Sequence, residues 1–312
     1  MSTEWIFKRM QWKVNMYLHT HMGMPIIKKK YYGREIMDIK ATQLWLKEAL
    51  RSGRVFTAAR LGGTELRALV SCQPEFKNAK LKEDMYGLLC SLSGFFGDMR
   101  DYDRFAEMME GWIKEVDLMG VWFNQMEDYI LEHHGRKDLC YGRLEGLEPW
   151  YVPEDPWTAG LEGKRVLVIH PFAESITDQY KKRELLFKGS NILPQFDLRV
   201  VKAVQTLMGE KSEFDSWFDA LDHMYEEALR EDFDVALIGC GAYGLPLAAR
   251  LRQAGKSAVH VGGSLQLFFG VMGSRWKDMK EIKNFYNDAW TYPLKSEGLK
   301  AGVENVENGC YW

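Results

Sequence analysis

Three short runs in this sequence set glycine beside side chains that bind or move charge. Arg60-Leu61-Gly62-Gly63-Thr64-Glu65 gathers a guanidinium, two glycines, a hydroxyl and a carboxylate. Arginine offers a planar fork of donors suited to phosphate, and a nearby carboxylate can ligate a metal or take a proton from an attacking hydroxyl. The plainer role for Glu65 is a first-turn helical acid paired with Arg60 or Arg67. Gly239-Cys240-Gly241-Ala242-Tyr243-Gly244 fits G-x-G-x-x-G. Such glycines let a backbone approach a phosphate at a helix start, although they also serve tight turns that hold no ligand. Gly262-Gly263-Ser264 is the third run, and His170 directly follows an apolar stretch. Beyond His170 lie Ser175, Thr177, Gln179, Tyr180 and Lys188, all able to meet phosphate or sugar, while hydroxyls at a helix start are commonly caps.

These runs need strands and helices to position them. Thr42 caps an expected helix over Gln43 to Arg51 that stops at Ser52-Gly53, and Arg54 to Ala59 then forms a strand leading into Arg60. Leu81 to Glu132 carries helical spacing, with Phe105, Met108, Met109, Trp112, Ile113 and Val116 on apolar positions. Gly146 to Gly163, with Pro149, Pro153 and Pro156, breaks the period and reads as a connector that would divide two lobes. Lys164 to Ile169 is a buried parallel-type strand ending at His170, with a helix starting at Thr177. Asp234 to Ile238 enters the second glycine run and a helix ending near Gly255, and Lys256 to Val261 empties into Gly262. The expected fold is α/β: a mainly parallel, Rossmann-like, doubly wound sheet with helices on both faces and a helical N-terminal and middle part. Residues 1–37 are taken as an arm and 38–312 as the α/β domain. Ligands of such sheets sit beyond the strands' C-terminal ends, where all these runs fall.

Composition narrows the function. With 41 basic and 44 acidic residues the net charge is −3, which offers no general attraction to nucleic acid. No run approaches 18 apolar residues, and Glu4, Lys8, Arg9 and Lys13 interrupt the start, so neither a membrane span nor a signal segment is expected and the location expected is cytoplasmic. The five cysteines are scattered without C-x-x-C spacing, pointing to reduced thiols. The run Lys28-Lys29-Lys30-Tyr31-Tyr32 could meet an anionic lipid head or a partner subunit, though a solvated flank is the commoner case. His19-x-His21 and His133-His134 lack partners at zinc spacing.

The first run resembles the R-x-G-D-G-E motif of glycosyltransferases of the GT-D fold, matched at Arg60, Gly62 and Glu65. Gly63 and Thr64 stand where that family has Asp and Gly, so the first acid of its D-x-E is missing. The stretch Asp234 to Gly263 is also similar to the family's last strand, glycine turn, helix and strand, so the likeness covers roughly Thr42 to Gly270. It implies transfer of a sugar from a nucleoside-diphosphate donor, typically UDP-linked, to a glycan or glycoprotein acceptor in surface-polysaccharide assembly. Arg60, Gly62, Gly63, Thr64, Ser175, Lys188, Gly239, Gly241, Tyr243, Gly244, Gly262 and Gly263 are then the candidate nucleotide and phosphate binders, with Glu65 and His170 as candidate catalytic groups. A Mn2+ or Mg2+ cofactor rests on Glu65 alone. An NAD(P)-dependent oxidoreductase is the alternative; it lacks the ribose-binding acid after Val259-His260-Val261, so NAD is not expected. A noncatalytic sugar-nucleotide-binding protein, and a homo-oligomer, stay open.

Overall fold

Strand alternation decides the layering. Val166 and Val168 face one core while Leu167 and Ile169 face the other, and in the next buried strand Val235 and Leu237 oppose Ala236 and Ile238. Both faces of the sheet are therefore apolar and both are covered. The computed structural model describes residues 3–22, 29–76, 78–210, 212–298 and 311. Among these, nine strands form one sheet: β1 (Lys30–Tyr31), β2 (Arg34–Met37), β3 (Thr57–Arg60), β4 (Leu118–Val121), β5 (Cys140–Arg143), β6 (Arg165–His170), β7 (Asp197–Lys202), β8 (Val235–Ile238) and β9 (Ser257–His260). Their order is β1-β2-β5-β4-β3-β9-β8-β6-β7, antiparallel only between β1 and β2. Two runs of strands, one ending in β3 and one ending in β9, meet where Thr57 pairs with Ala258 and Ala58 with Val259.

Helices α1 (Thr3–Met22) and α2 (Ile39–Ser52) precede β3. One face then carries α3 (Gly63–Cys72), α4 (Ala79–Ser93), α5 (Met99–Ile113), α6 (Glu127–His134), α9 (Trp217–Arg230) and α10 (Gly244–Gln253). The other carries α2, α7 (Ala173–Tyr180), α8 (Arg183–Leu186) and the segment 144–161. That segment runs in short 3-10 turns whose Leu147, Trp150, Trp157 and Leu161 are buried. Gln43 ties it to α2 by donating to the Glu148 carbonyl and accepting from the Trp157 amide, both at 3.0 Å.

The parallel sheet with helices on both faces agrees with the sequence pattern; several local expectations are corrected. Asp38, not Thr42, caps α2, accepting from the Ala41 amide at 2.8 Å, because Thr42 is buried and spends its hydroxyl on the Asp38 carbonyl. The strand expected from Arg54 begins at Thr57, and Thr177 lies inside α7, donating to the Ala173 carbonyl. The helical stretch 81–132 contains a strand, β4, whose four residues are all buried. The N-terminal arm contributes both a helix and the β1–β2 pair.

Trp217 anchors the face beneath the glycine runs. It is fully buried, stacks on Tyr243 at 4.7 Å and 7°, and meets Phe95, Phe105 and Phe218 within 5.7 Å. Replacing it by alanine should lower stability by about 3–5 kcal/mol in urea denaturation. A loss under about 1 kcal/mol would show that this cluster does not hold the turn.

Candidate functional site

The C-terminal ends of β3, β4, β6, β8 and β9 surround a cavity of about 300 Å³. Its wall includes Arg60, Gly62, Gly63, Thr64 and Glu65 after β3, Trp122 and Asn124 after β4, and His170 after β6. Gly239, Gly241 and Tyr243 follow β8, and His260, Gly262 and Gly263 close the ring after β9. Parallel strands deliver all five loops to one edge, at the seam where β3 meets β9.

Arg60 is the centre of this ring. Its guanidinium lies over the Trp122 ring at 3.6 Å. Burial lowers its pKa to about 10, against the opposing pull of Tyr311 and Glu65, so it stays charged at neutral pH. The group sits deep yet keeps surface toward the cavity, and among the described residues no hydrogen bond or ion pair engages it. A charge withdrawn from water and left unpaired is costly, so an anion in the cavity would relieve it. Arg67 and Arg275 also line the wall, whereas Glu65 supplies its carboxylate.

The Trp122 loop is held from behind. The Glu127 carboxylate, fully buried, accepts from the Phe123 amide at 2.8 Å, the Trp122 amide at 3.1 Å and the Tyr31 hydroxyl at 2.9 Å. Burial raises its pKa to about 7 despite those bonds. Phe123 and Met126 both adopt left-handed backbone (φ 62° and 68°), which non-glycine residues rarely accept without compensation. The Trp122 Nε1 and Asn124 Nδ2 atoms are buried at the cavity wall without a hydrogen-bond partner among the described residues.

Glu65 stands in the first turn of α3, folded back over Gly62, and accepts from the Thr64 hydroxyl at 3.0 Å, which itself bonds Ser93. His170 is buried and its Nδ1 accepts from the Phe172 amide at 3.0 Å, so Nε2 carries the ring proton. Burial pushes its pKa down to about 3 and the ring is neutral. His260 shows the opposite tautomer, its Nδ1 donating to the Ile238 carbonyl at 3.3 Å. Burial, helped by the charge of Arg60, holds it near 3 as well.

The glycines answer to these neighbours. A Cβ on Gly244 would lie 2.1 Å from the His260 ring, and one on Gly239 would meet the Gly262 carbonyl at 2.6 Å. Gly262 adopts φ +80° and lets the Arg60 guanidinium lie against its backbone, 2.9 Å from where a Cβ would stand. Gly63 meets only the Asn124 amide, at an ordinary 3.7 Å.

Among the expected site residues, Gly244 packs behind the wall and Ser175 and Lys188 lie away from it. Ser175 is buried at the start of α7, where the Glu297 carboxylate accepts from the Ser175 hydroxyl and from the Glu174 and Ser175 amides at 2.7 and 3.1 Å. A protein carboxylate thus already occupies that helix start, the place where a phosphate would gain most. Lys188 is exposed. Trp122, Asn124, Arg275 and Gln266 enter the wall without having been expected there, and Tyr311, one of the late aromatics that could stack on a sugar or nucleobase, joins them. For Trp122 and Asn124 the available signal was the apolar run Leu118–Val121 ending in two polar-capable residues, hidden between helical stretches. Among the described residues no three His, Cys, Asp or Glu side chains gather as a metal-holding group. One carboxylate with two hydroxyls does not fit the oxygen-rich octahedron that Mg2+ or Mn2+ prefers.

No protein-family model and no curated protein matches the sequence. Among solved structures, the chain is similar to domain of unknown function 1792, described as having a distinct glycosyltransferase fold. That likeness has 12% identity over 85% of this chain and 92% of the other, with a TM-score of 0.46. It is also similar to a glycosyltransferase (DUF1792) from Streptococcus sanguinis, 12% identical over 84% and 96% of the two chains with a TM-score of 0.38. At this distance neither likeness assigns a residue or an activity.

Two outcomes test the site's construction. Gly244→Ala should destabilise by about 1–3 kcal/mol through overpacking against His260, whereas Gly63→Ala should leave the unfolding midpoint within about 0.5 kcal/mol. Equal effects would contradict the packing. In an NMR titration of the free protein from pH 8 to about 5, the His170 and His260 rings should not move, because protons that a free histidine binds near pH 6.5 are refused until about 3. For the same reason each ring's contribution to stability is complete above about pH 6.5 and is lost as the pH falls toward 3. A midpoint near 6.5 for either ring would show it open to water.

Proposed function

We propose that this protein is a glycosyltransferase that moves a sugar from a nucleoside-diphosphate donor, UDP-linked, to a hydroxyl of a glycan or glycoprotein acceptor. One observation carries the proposal: a charged Arg60, free of hydrogen bonds among the described residues, facing a cavity of about 300 Å³ ringed by three glycine turns. The volume is at the lower end for small-molecule sites. The R-x-G-x-x-E likeness at Arg60, Gly62 and Glu65 supports sugar transfer over other uses of a diphosphate.

In this reading the diphosphate lies over Gly62-Gly63, Gly239–Gly241 and Gly262-Gly263. As the bond from the anomeric carbon to the phosphate oxygen breaks, its electron pair passes to the diphosphate, and Arg60 meets the growing charge. The His170 Nε2–H is a neutral donor that can bond the same oxygens. Glu65 accepts the proton of the acceptor hydroxyl as its oxygen bonds the sugar, a role within reach of a carboxylate held by a single hydroxyl bond. No step is drawn through a metal, since the donor set around Glu65 does not suit one. The noncatalytic alternative keeps the binding and drops the Glu65 step.

Calorimetric titration with UDP, GDP, UDP-glucose and NAD, each with and without Mn2+, tests this. UDP or GDP should bind, and Arg60→Ala should weaken binding at least about tenfold, as expected for lost charge-assisted bonds. Glu65→Gln should keep binding while lowering turnover of a UDP-sugar by about a hundredfold or more. NAD binding alone, or no nucleotide binding, would sink the proposal; binding unaffected by Arg60→Ala would remove the observation it rests on.

A further inference from the structure

Helix α1 turns an apolar face outward. Ile6, Phe7, Met10 and Val14 are 45%, 67%, 63% and 57% exposed, at spacings of three and four residues that align them on one side. Trp12 lies two positions from both Met10 and Val14, so it points to nearly the opposite side of the helix. It is half-buried there, and its Nε1 donates to the Phe123 carbonyl at 3.2 Å. The inward side is thus fixed to the loop that carries Trp122 and Asn124, and the outward side meets solvent with large apolar groups. A contiguous apolar face of this kind marks a contact surface more often than scattered single residues do.

Charge selects the occupant. Residues 1–30 hold six lysines and arginines against one acid, and the remainder of the chain carries a net charge of −8. Lys13, on α1, Lys29, just before β1, and Lys30, the first residue of β1 and 3.6 Å from the Glu35 carboxylate, are exposed. Positive charge is therefore segregated to the segment that also presents the apolar stripe, on a chain that is otherwise acidic. A second copy packed on this stripe would bring lysines against lysines, whereas an anionic lipid surface supplies the opposite charge together with an apolar layer. Among the described residues no helix is long and apolar enough to cross a membrane, so the fitting arrangement is a helix lying in the plane of the interface.

We infer that α1 is an interfacial helix that docks this protein on an anionic phospholipid surface, with Phe7, Met10 and Val14 entering the headgroup boundary and Lys13, Lys29 and Lys30 facing the lipid phosphates. The inference does not depend on the catalytic proposal. It brings the Trp122 wall of the cavity close to the bilayer, because α1 touches that loop directly.

Flotation of the full chain with vesicles tests it, comparing phosphatidylcholine alone with phosphatidylcholine containing about a third phosphatidylglycerol. Binding should be about tenfold tighter or more on the anionic vesicles and should weaken with added salt. Phe7→Glu with Met10→Glu should lower anionic-vesicle binding at least about tenfold, and Lys13→Glu with Lys29→Glu and Lys30→Glu should do the same. Both variants change exposed positions, so an unaltered unfolding midpoint and unaltered nucleotide titration show that the fold and the cavity are intact. No vesicle binding by the natural chain, or equal binding by the Phe7→Glu, Met10→Glu variant, would overturn the inference. A dimer in analytical ultracentrifugation that this variant dissociates would assign the stripe to a second copy and overturn it equally.

Discussion

A guanidinium kept charged inside the protein, with no hydrogen bond or ion pair among the described residues, is the constraint on which the site depends. Arg60 ends β3 at the seam of the sheet, where the chain gives it an indole face on one side and a glycine backbone on the other. Neither neighbour neutralises it. The ring quadrupole of Trp122 offsets part of the desolvation cost, and cation–π contact leaves the guanidinium's in-plane donors free. The neutral state of His260 follows first from its burial, to which the charge of Arg60 adds repulsion against a second cation. The cavity is thus arranged around a deeply placed positive charge, with Arg67 and Arg275 also on its wall, and keeps its histidines uncharged.

Keeping Trp122 in place requires further structure. The loop after β4 takes two left-handed non-glycine residues, and its amides converge on Glu127, itself buried beside Tyr31 from the β1–β2 pair. A chain of contacts therefore runs from the edge of the sheet through Tyr31, Glu127 and Trp122 to Arg60. Loss of the Glu127 carboxylate would leave buried amides without acceptors and the left-handed backbone without compensation. Helix α1 joins the same chain through Trp12, which makes the N-terminal segment part of the site's support.

The large features were legible because burial imposes strong patterns. KRVLVI and DVALI announce β6 and β8, and their endings, His170 after the first and Gly239-Cys240-Gly241 after the second, point to the ligand edge. Two strands, β4 and β5, were not legible, and β4 sits between helices whose spacing overrides its own signal. Thr42 looked like a cap because threonine often is one, yet its burial against Gly142 and Gly146 places it inside the helix. Ser175 looked like a phosphate ligand for an equally sound reason, since helix starts attract anions. The anion proved to be Glu297, more than a hundred residues away, a pairing that no local pattern contains.

The glycine runs carry a wider lesson about motif evidence. Gly244 is demanded by the His260 ring, Gly239 by the Gly262 carbonyl, and Gly262 by the Arg60 guanidinium. Each is accounted for by the protein's own packing, so G-x-G-x-x-G here would persist with no ligand at all, and the motif alone does not favour nucleotide over an empty turn. What does favour a ligand is the group that packing leaves unsatisfied. Glycines that crowd a backbone around a charge close off the protein's own routes to neutralise it, and among the described residues none of the turns brings a carboxylate to bond Arg60. The physical case for an anion therefore rests on the remaining open side of that guanidinium, which faces the cavity.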